Sequence, residues 1–146
     1  MLDEKTIGII KSTVPVLKEH GVTLTTHFYK RLFEHNPGVI PLFNEEDQKS
    51  GAQAKKLAQA ILSYAKHIDN LGALTGAVEK IAARHTSALV KEEHYPIVGE
   101  HLLASIKEVV GDAATDELIE AWGKAYWVLA NILIEKEKQI YNSKDA

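Results

Sequence analysis

The sequence predicts one all-α domain, and three observations predict it. Apolar residues recur every three to four positions in nearly every segment, no run alternates apolar and polar residues as a half-buried strand would, and no internal repeat is present. With 146 residues, the chain suits a single core that buries about two-thirds of the unfolded surface.

The first helix is expected from about Asp3 to Glu19, with Ile7, Ile10, Val14 and Leu17 on one face and a local kink at Pro15. Gly21 then separates it from a second helix, which carries Leu24, Phe28 and Leu32 with Tyr29 beside them and stops before Asn36-Pro37-Gly38. A short turn holds Leu42 and Phe43, and Asn44 to Gly51 reads as the longest loop. Gln53, Leu57, Ile61, Tyr64 and Ile68 recur on the helix that follows. The next stripe is Leu74, Val78, Ile81, His85 and Leu89, on a helix ending near Val90. Pro96 starts a further helix with Val98, Leu102, Ile106 and Val109 inward, closed by Gly111. Thr115 caps the last helix, with Asp116 and Glu117 favourable in its first turn. Running to about Asn142, that helix is roughly 40 Å long.

Composition removes several function classes. Hydrophobic residues make up 45% and charged residues 25%, an ordinary globular balance, and the net charge of −3 is spread along the sequence. That leaves no basic footprint for nucleic acid or an anionic membrane. The absence of cysteine excludes disulfide scaffolds, iron–sulfur ligation, thiolate catalysis and Cys-x-x-Cys-His attachment of a cofactor. The N-terminus shows neither a signal pattern nor a long apolar span, so a cytoplasmic location is expected.

His85 is the most informative residue, because an imidazole on an apolar stripe needs a partner. It reads either as a satisfied core histidine near a helix C-terminus or as a ligand to a buried metal. Four other polar groups sit on inward faces. Tyr29 stands beside Phe28, Gln53 and Tyr95 open helices, and Glu137 continues the series Trp122, Tyr126, Ala130 and Leu133. Each alone admits a bland explanation: tyrosines with wet hydroxyls, a loop-end amide, an acid at a frayed end. Their coincidence favours a site, since an unpaired acid on that face would be costly.

Spacing narrows the chemistry. There is no His-Glu-x-x-His for a zinc hydrolase and no Glu-x-x-His for a di-iron bundle. His20, His27, His35, His67, His94 and His101 form no metal cluster in sequence and read as mostly solvated. One histidine among aliphatics and aromatics is too poor a ligand set for bare zinc but suits haem, whose iron already holds four ring nitrogens.

Several stretches then resemble one family. Thr13 to Gly21 (Thr-Val-Pro-Val-Leu-Lys-Glu-His-Gly), Phe28-Tyr29, Pro41-Leu42-Phe43, His94 to Gly99 (His-Tyr-Pro-Ile-Val-Gly), Gly111 to Asp116 (Gly-Asp-Ala-Ala-Thr-Asp) and Ala121 to Tyr126 (Ala-Trp-Gly-Lys-Ala-Tyr) are similar to bacterial haemoglobins of the Vitreoscilla type. The globin domain of flavohaemoglobins belongs to the same family, and the resemblance spans essentially the whole chain. It implies a globin fold, a three-on-three helical sandwich around noncovalent haem b (iron protoporphyrin IX). By that resemblance His85 is the iron ligand, Phe43 packs on the haem face, and Tyr29, Gln53 and Leu57 shape the distal side. Tyr95 and Glu137 hold the far nitrogen of His85, and Tyr126 adds a cofactor contact. Tyr29, Tyr95 and Glu137 are the residues it marks for catalysis.

Two departures stand out: Ala54 replaces the proline of the Vitreoscilla-type protein, and Trp127 replaces the glycine usual after Tyr126. The added indole suggests a homodimer contact or an altered pocket. The expected function is reversible O2 binding for supply or buffering, with NO and CO as further small ligands. The alternative is nitric oxide dioxygenation, either with a separate reductase or as the haem domain of a flavohaemoglobin. The chain carries no Gly-rich dinucleotide fingerprint. A third reading, a haem-free helical interaction module, leaves the inward polar residues unexplained.

Overall fold

The computed structural model describes residues 2–43 and 45–145, excluding the side chains of residues 144 and 145. Seven α-helices and three short 3-10 segments account for the regular structure, with no strand among the described residues. The helices are α1 (Glu4–Ser12), α2 (Val14–His35), α3 (Glu45–Ser50), α4 (Ala52–Lys66), α5 (Thr75–Ser87), α6 (His94–Val110) and α7 (Asp116–Asp145). Helix α2 packs across α4 and α6, α5 lies along α7, and α1 and α6 also lean on α7.

The N-terminal boundary differs from the expected one. The break falls at Thr13, and Gly21 is buried inside α2. The Thr13 hydroxyl donates to the Ile10 carbonyl at 2.6 Å, ending α1. Pro15 then lies in the first turn of α2, where its missing N–H has no helical partner to lose. Gly21 serves a crossing instead of a turn: a Cβ there would meet the Ala58 Cβ at 3.4 Å, so α2 and α4 touch nearly backbone to backbone. Thr25 strengthens that crossing with a 2.7 Å hydrogen bond from its hydroxyl to the Ala54 carbonyl.

The expected loop between Phe43 and Gly51 holds the short helix α3, whose first turn carries Glu45, Glu46 and Asp47 at the positive end of the helix dipole. Asn44 lies outside the described residues. Helix α5 ends at Ser87, earlier than expected, in a paired turn: Val90 N–H bonds to the His85 carbonyl at 2.9 Å and Leu89 N–H to that of Thr86 at 3.2 Å. This is the bonding pattern of a Schellman cap, with Leu89 in the left-handed position (φ +66°) that glycine usually takes. Leu89 is therefore off the inward stripe and 63% exposed. Helix α6 starts at His94, two residues before Pro96, and Gly111 ends it with φ +71°. Thr115 caps α7 as expected, accepting from Leu118 N–H at 3.1 Å, and the helix runs its full 30 residues, about 45 Å.

The apolar interior divides in two. The larger part gathers Ile10, Leu24, Phe28, Tyr29, Leu32 and Trp122, and the smaller gathers Val78, Ala82, Tyr95, Ala130, Leu133 and Ile134. Leu74, Tyr126 and Leu129 pack against both.

Candidate functional site

Three helices converge on one imidazole. His85 stands on the last turn of α5, Tyr95 on the first turn of α6 and Glu137 on α7. His85 Nδ1 is 2.8 Å from Glu137 Oε2 and 3.0 Å from the Tyr95 hydroxyl, which is itself 2.8 Å from both Glu137 oxygens. Glu137 is 3% exposed, so the series that continued Trp122 and Leu133 does carry an acid into the core.

The chemistry of this triangle fixes the proton positions. A carboxylate can only accept, so Nδ1 of His85 carries the hydrogen and donates it, while the Tyr95 hydroxyl donates to the same carboxylate. That leaves Nε2, the atom that carries the lone pair whenever this imidazole is neutral, with no partner among the described residues and on a side chain 34% exposed. Burial, then the hydrogen bond to Glu137 and its charge, push the Tyr95 hydroxyl far above its ordinary pKa, so it stays a donor.

The triangle is braced from outside. The Tyr126 hydroxyl donates to the Tyr95 backbone carbonyl at 2.5 Å, and burial raises its pKa as well. The Tyr141 hydroxyl donates to the Val90 carbonyl at 2.6 Å, tying the turn after His85 to α7. A cleft of about 690 Å³ bordered by Val90, Lys91, Ile134 and Tyr141 reaches this cluster only at Glu137.

The residues expected on the opposite side of the cofactor stand on α2 (Tyr29), just after the 3-10 segment Pro37–Leu42 (Phe43) and on α4 (Gln53, Leu57). Tyr29 is 7% exposed, inside a box of rings: Phe28, Phe33 and Phe43 lie 5.2, 5.8 and 5.4 Å from it, centroid to centroid. Burial raises the Tyr29 pKa, keeping its proton. The hydroxyl has no hydrogen-bond partner among the described residues, yet its oxygen is not sealed off as those of fully buried unpaired groups are. Gln53 is half-buried, and its side-chain oxygen accepts from Gln48 Nε2 at 2.5 Å. Leu57 packs half-buried against the larger core.

These residues fit a haem. Among the described residues no three His, Cys, Asp or Glu side chains gather as a metal cage, so a metal on His85 must bring most of its own ligands. The Nε2 lone pair, an unpartnered phenol and an aromatic, aliphatic lining meet that need.

The globin family model matches residues 26–133. The chain belongs to the globin family. Its flavohemoprotein relative from Oceanobacillus iheyensis is 54% identical over 144 residues, covering 99% of this globin but 36% of the relative. The chain therefore spans about a third of the length of the curated relatives it matches. An engineered carbene transferase, built on a nitric oxide dioxygenase candidate from Rhodothermus marinus, is 38% identical, covers 100% of both chains and superposes with a TM-score of 0.95. A flavohemoglobin from Malassezia yamatoensis with bound FAD and heme is 30% identical over 97% of this chain and 38% of that one, at a TM-score of 0.89. The expected all-α globin fold and the resemblance to flavohaemoglobin globin domains are thus borne out, and haem is the cofactor this family implies. No helix among the described residues is long and apolar enough to cross a membrane.

Sequence reasoning misplaced or missed several residues. His101, read as solvated, is 4% exposed on the α2–α6 interface, with Nε2 2.9 Å from Asn36 Nδ2 and Nδ1 unpartnered. Its pKa is lowered by burial and then by Arg31. Phe33 completes the box around Tyr29, and its one-turn spacing from Tyr29 was the available signal. Gly99, inside α6, lies under the Tyr126 ring, and a glycine in mid-helix was the sign that something packs close there.

Proposed function

We propose that this globin binds O2 at a His85-ligated haem and converts NO to nitrate with it, drawing electrons from a flavin reductase on another polypeptide or another domain. The observation that carries this reading is the buried Glu137 carboxylate on His85 Nδ1. Pulling the Nδ1 hydrogen makes the imidazole a stronger donor through Nε2, which stabilises the oxidised metal and favours oxygen activation. When bound, the haem iron supplies reversible coordination of O2 and the redox change that the reaction needs. Tyr29 contributes a single protonated donor to the other side, and one such hydrogen bond to an oxygen carrying charge is worth on the order of 1 to 1.5 kcal/mol, about tenfold in affinity.

Reversible O2 supply, the function first expected, needs the Tyr29 donor but gives no reason to bury an acid behind the ligand. The relatives support the same preference, being flavohemoproteins and a nitric oxide dioxygenase candidate. The test is NO uptake at an electrode by haem-loaded, reduced protein in aerated buffer. With NADH alone one equivalent of NO should disappear, leaving ferric protein. An added flavin reductase should restore repeated consumption. Failure to turn over with several reductases, alongside normal O2 binding, would return the protein to O2 supply.

A further inference from the structure

We propose that Gly99 and the Tyr126 ring form a spacer that sets where Tyr95 stands, and through Tyr95 holds the His85–Glu137 pair in line. The inference rests on His85 ligating haem and concerns positioning residues that never touch the iron.

The contact is tight and rigid. A Cβ at Gly99 would lie 2.7 Å from Tyr126 Cε2, closer than a Cβ atom approaches another atom in real structures, and a tight 3.1 Å from Cδ2 and 3.3 Å from Cζ. Tyr126 cannot curl away from an added methyl as a lysine could, because its ring is flat and held at both ends. One end is fixed to α7, and the hydroxyl donates to the Tyr95 carbonyl at 2.5 Å. The phenol thus spans one helical turn of α6, from the Tyr95 carbonyl that its hydroxyl holds to Gly99, which its ring edge covers. A methyl at position 99 must lift the ring, and the ring carries the Tyr95 carbonyl with it.

What moves next is the triangle. Tyr95 meets both Glu137 oxygens at 2.8 Å and His85 Nδ1 at 3.0 Å, so a displacement of a few tenths of an ångström turns three short contacts into poor ones. Glycine in a helix interior is unfavourable relative to alanine. At position 99 alanine would strike the phenol, which is the physical reason for glycine there.

The experiment uses haem-loaded protein and reads two quantities besides turnover: the iron–histidine stretching frequency by resonance Raman, and the ferric/ferrous potential. Gly99→Ala should lower the stretch and raise the potential, in the direction of Glu137→Gln and by less. Tyr126→Phe, which keeps the ring and removes its grip on Tyr95, should give a smaller shift of the same sign. In the Tyr126→Phe background, adding Gly99→Ala should move both readings less than it does in the native background, since the freed ring can swing out alone. Equal effects in both backgrounds, or a Gly99→Ala protein with native stretch and potential, would overturn the proposal. Should Gly99→Ala fail to fold, an unshifted Tyr126→Phe overturns it equally. A native chain with no histidine-ligated spectrum would remove the earlier reading together with this one, whereas a normal native spectrum with silent variants removes this one alone.

Discussion

In the proposed haem site the two walls are built on opposite principles. On the His85 side every polar group of the triangle except the outward-facing Nε2 is paired: imidazole Nδ1, carboxylate and two phenols share hydrogen bonds of 2.5 to 3.0 Å drawn from α5, α6 and α7. On the Tyr29 side one phenol stands in an aromatic box with its hydroxyl unpartnered, and Gln53 is turned to Gln48. A satisfied network resists rearrangement and so fixes the electronic character of what it holds. An unsatisfied donor in an apolar box makes its gain only when a ligand arrives. The first wall is suited to setting a constant property, the second to discriminating among visitors.

The heaviest blow to this contrast is His85→Ala, which should strip or misligate the haem. A ferrous–CO spectrum unchanged from the native protein would remove the ligand assignment. Next, Tyr29→Phe should raise the O2 dissociation rate by roughly tenfold or more, the worth of one hydrogen bond to a charged acceptor. CO, a poorer acceptor, should respond less. Stopped-flow rates that change equally for both gases would mean altered access to the pocket. Glu137→Gln should raise the ferric/ferrous potential, since a buried anion favours the more positive iron, by about 59 mV if the effect is tenfold. A potential that holds or falls, by spectroelectrochemistry, would mean the two walls do not differ in this way.

The smallest effect tests a place outside both walls. Burial, then Arg31, lowers the His101 pKa below its ordinary 6.5, with His35, Glu100 and Glu108 as the other charged or titratable neighbours. The unfolded chain therefore binds a proton before the folded one does. His101 should contribute stability fully above pH about 6.5 and lose it progressively as the pH falls toward the folded value. Urea midpoints measured across that range should slope less in His101→Leu than in the native protein. Identical slopes would assign the acid sensitivity to other groups.

Much of this was legible from pattern alone. The helical faces and the Thr115 cap follow from local rules, and the inward placement of Glu137 follows from counting along a helix. What local rules could not give were crossings. Gly21 looks like a separator until Ala58 is placed against it, and Gly99 is an unexplained weakness in a helix until Tyr126 covers it. Leu89 carries an apolar side chain at helical spacing, but the backbone turns left-handed before it can join the stripe. His101 stands between Glu100 and Leu102 with nothing in sequence to choose which way it faces, and only the α2–α6 packing buries it.

The division of the site between helices also orders its birth. Tyr29, Phe43, Gln53 and Leu57 all precede α5, whereas His85, Tyr95, Tyr126 and Glu137 all follow the start of it. A ribosome adding about 5–20 residues per second delivers the aromatic box several seconds before Glu137 can leave the exit tunnel. A nascent chain in that interval has His85 without the carboxylate that selects its tautomer. On the proposed reading, haem binding with the right electronic character waits for α7 to dock, which makes a correctly tuned haem a report that all of these helices have been made and packed together.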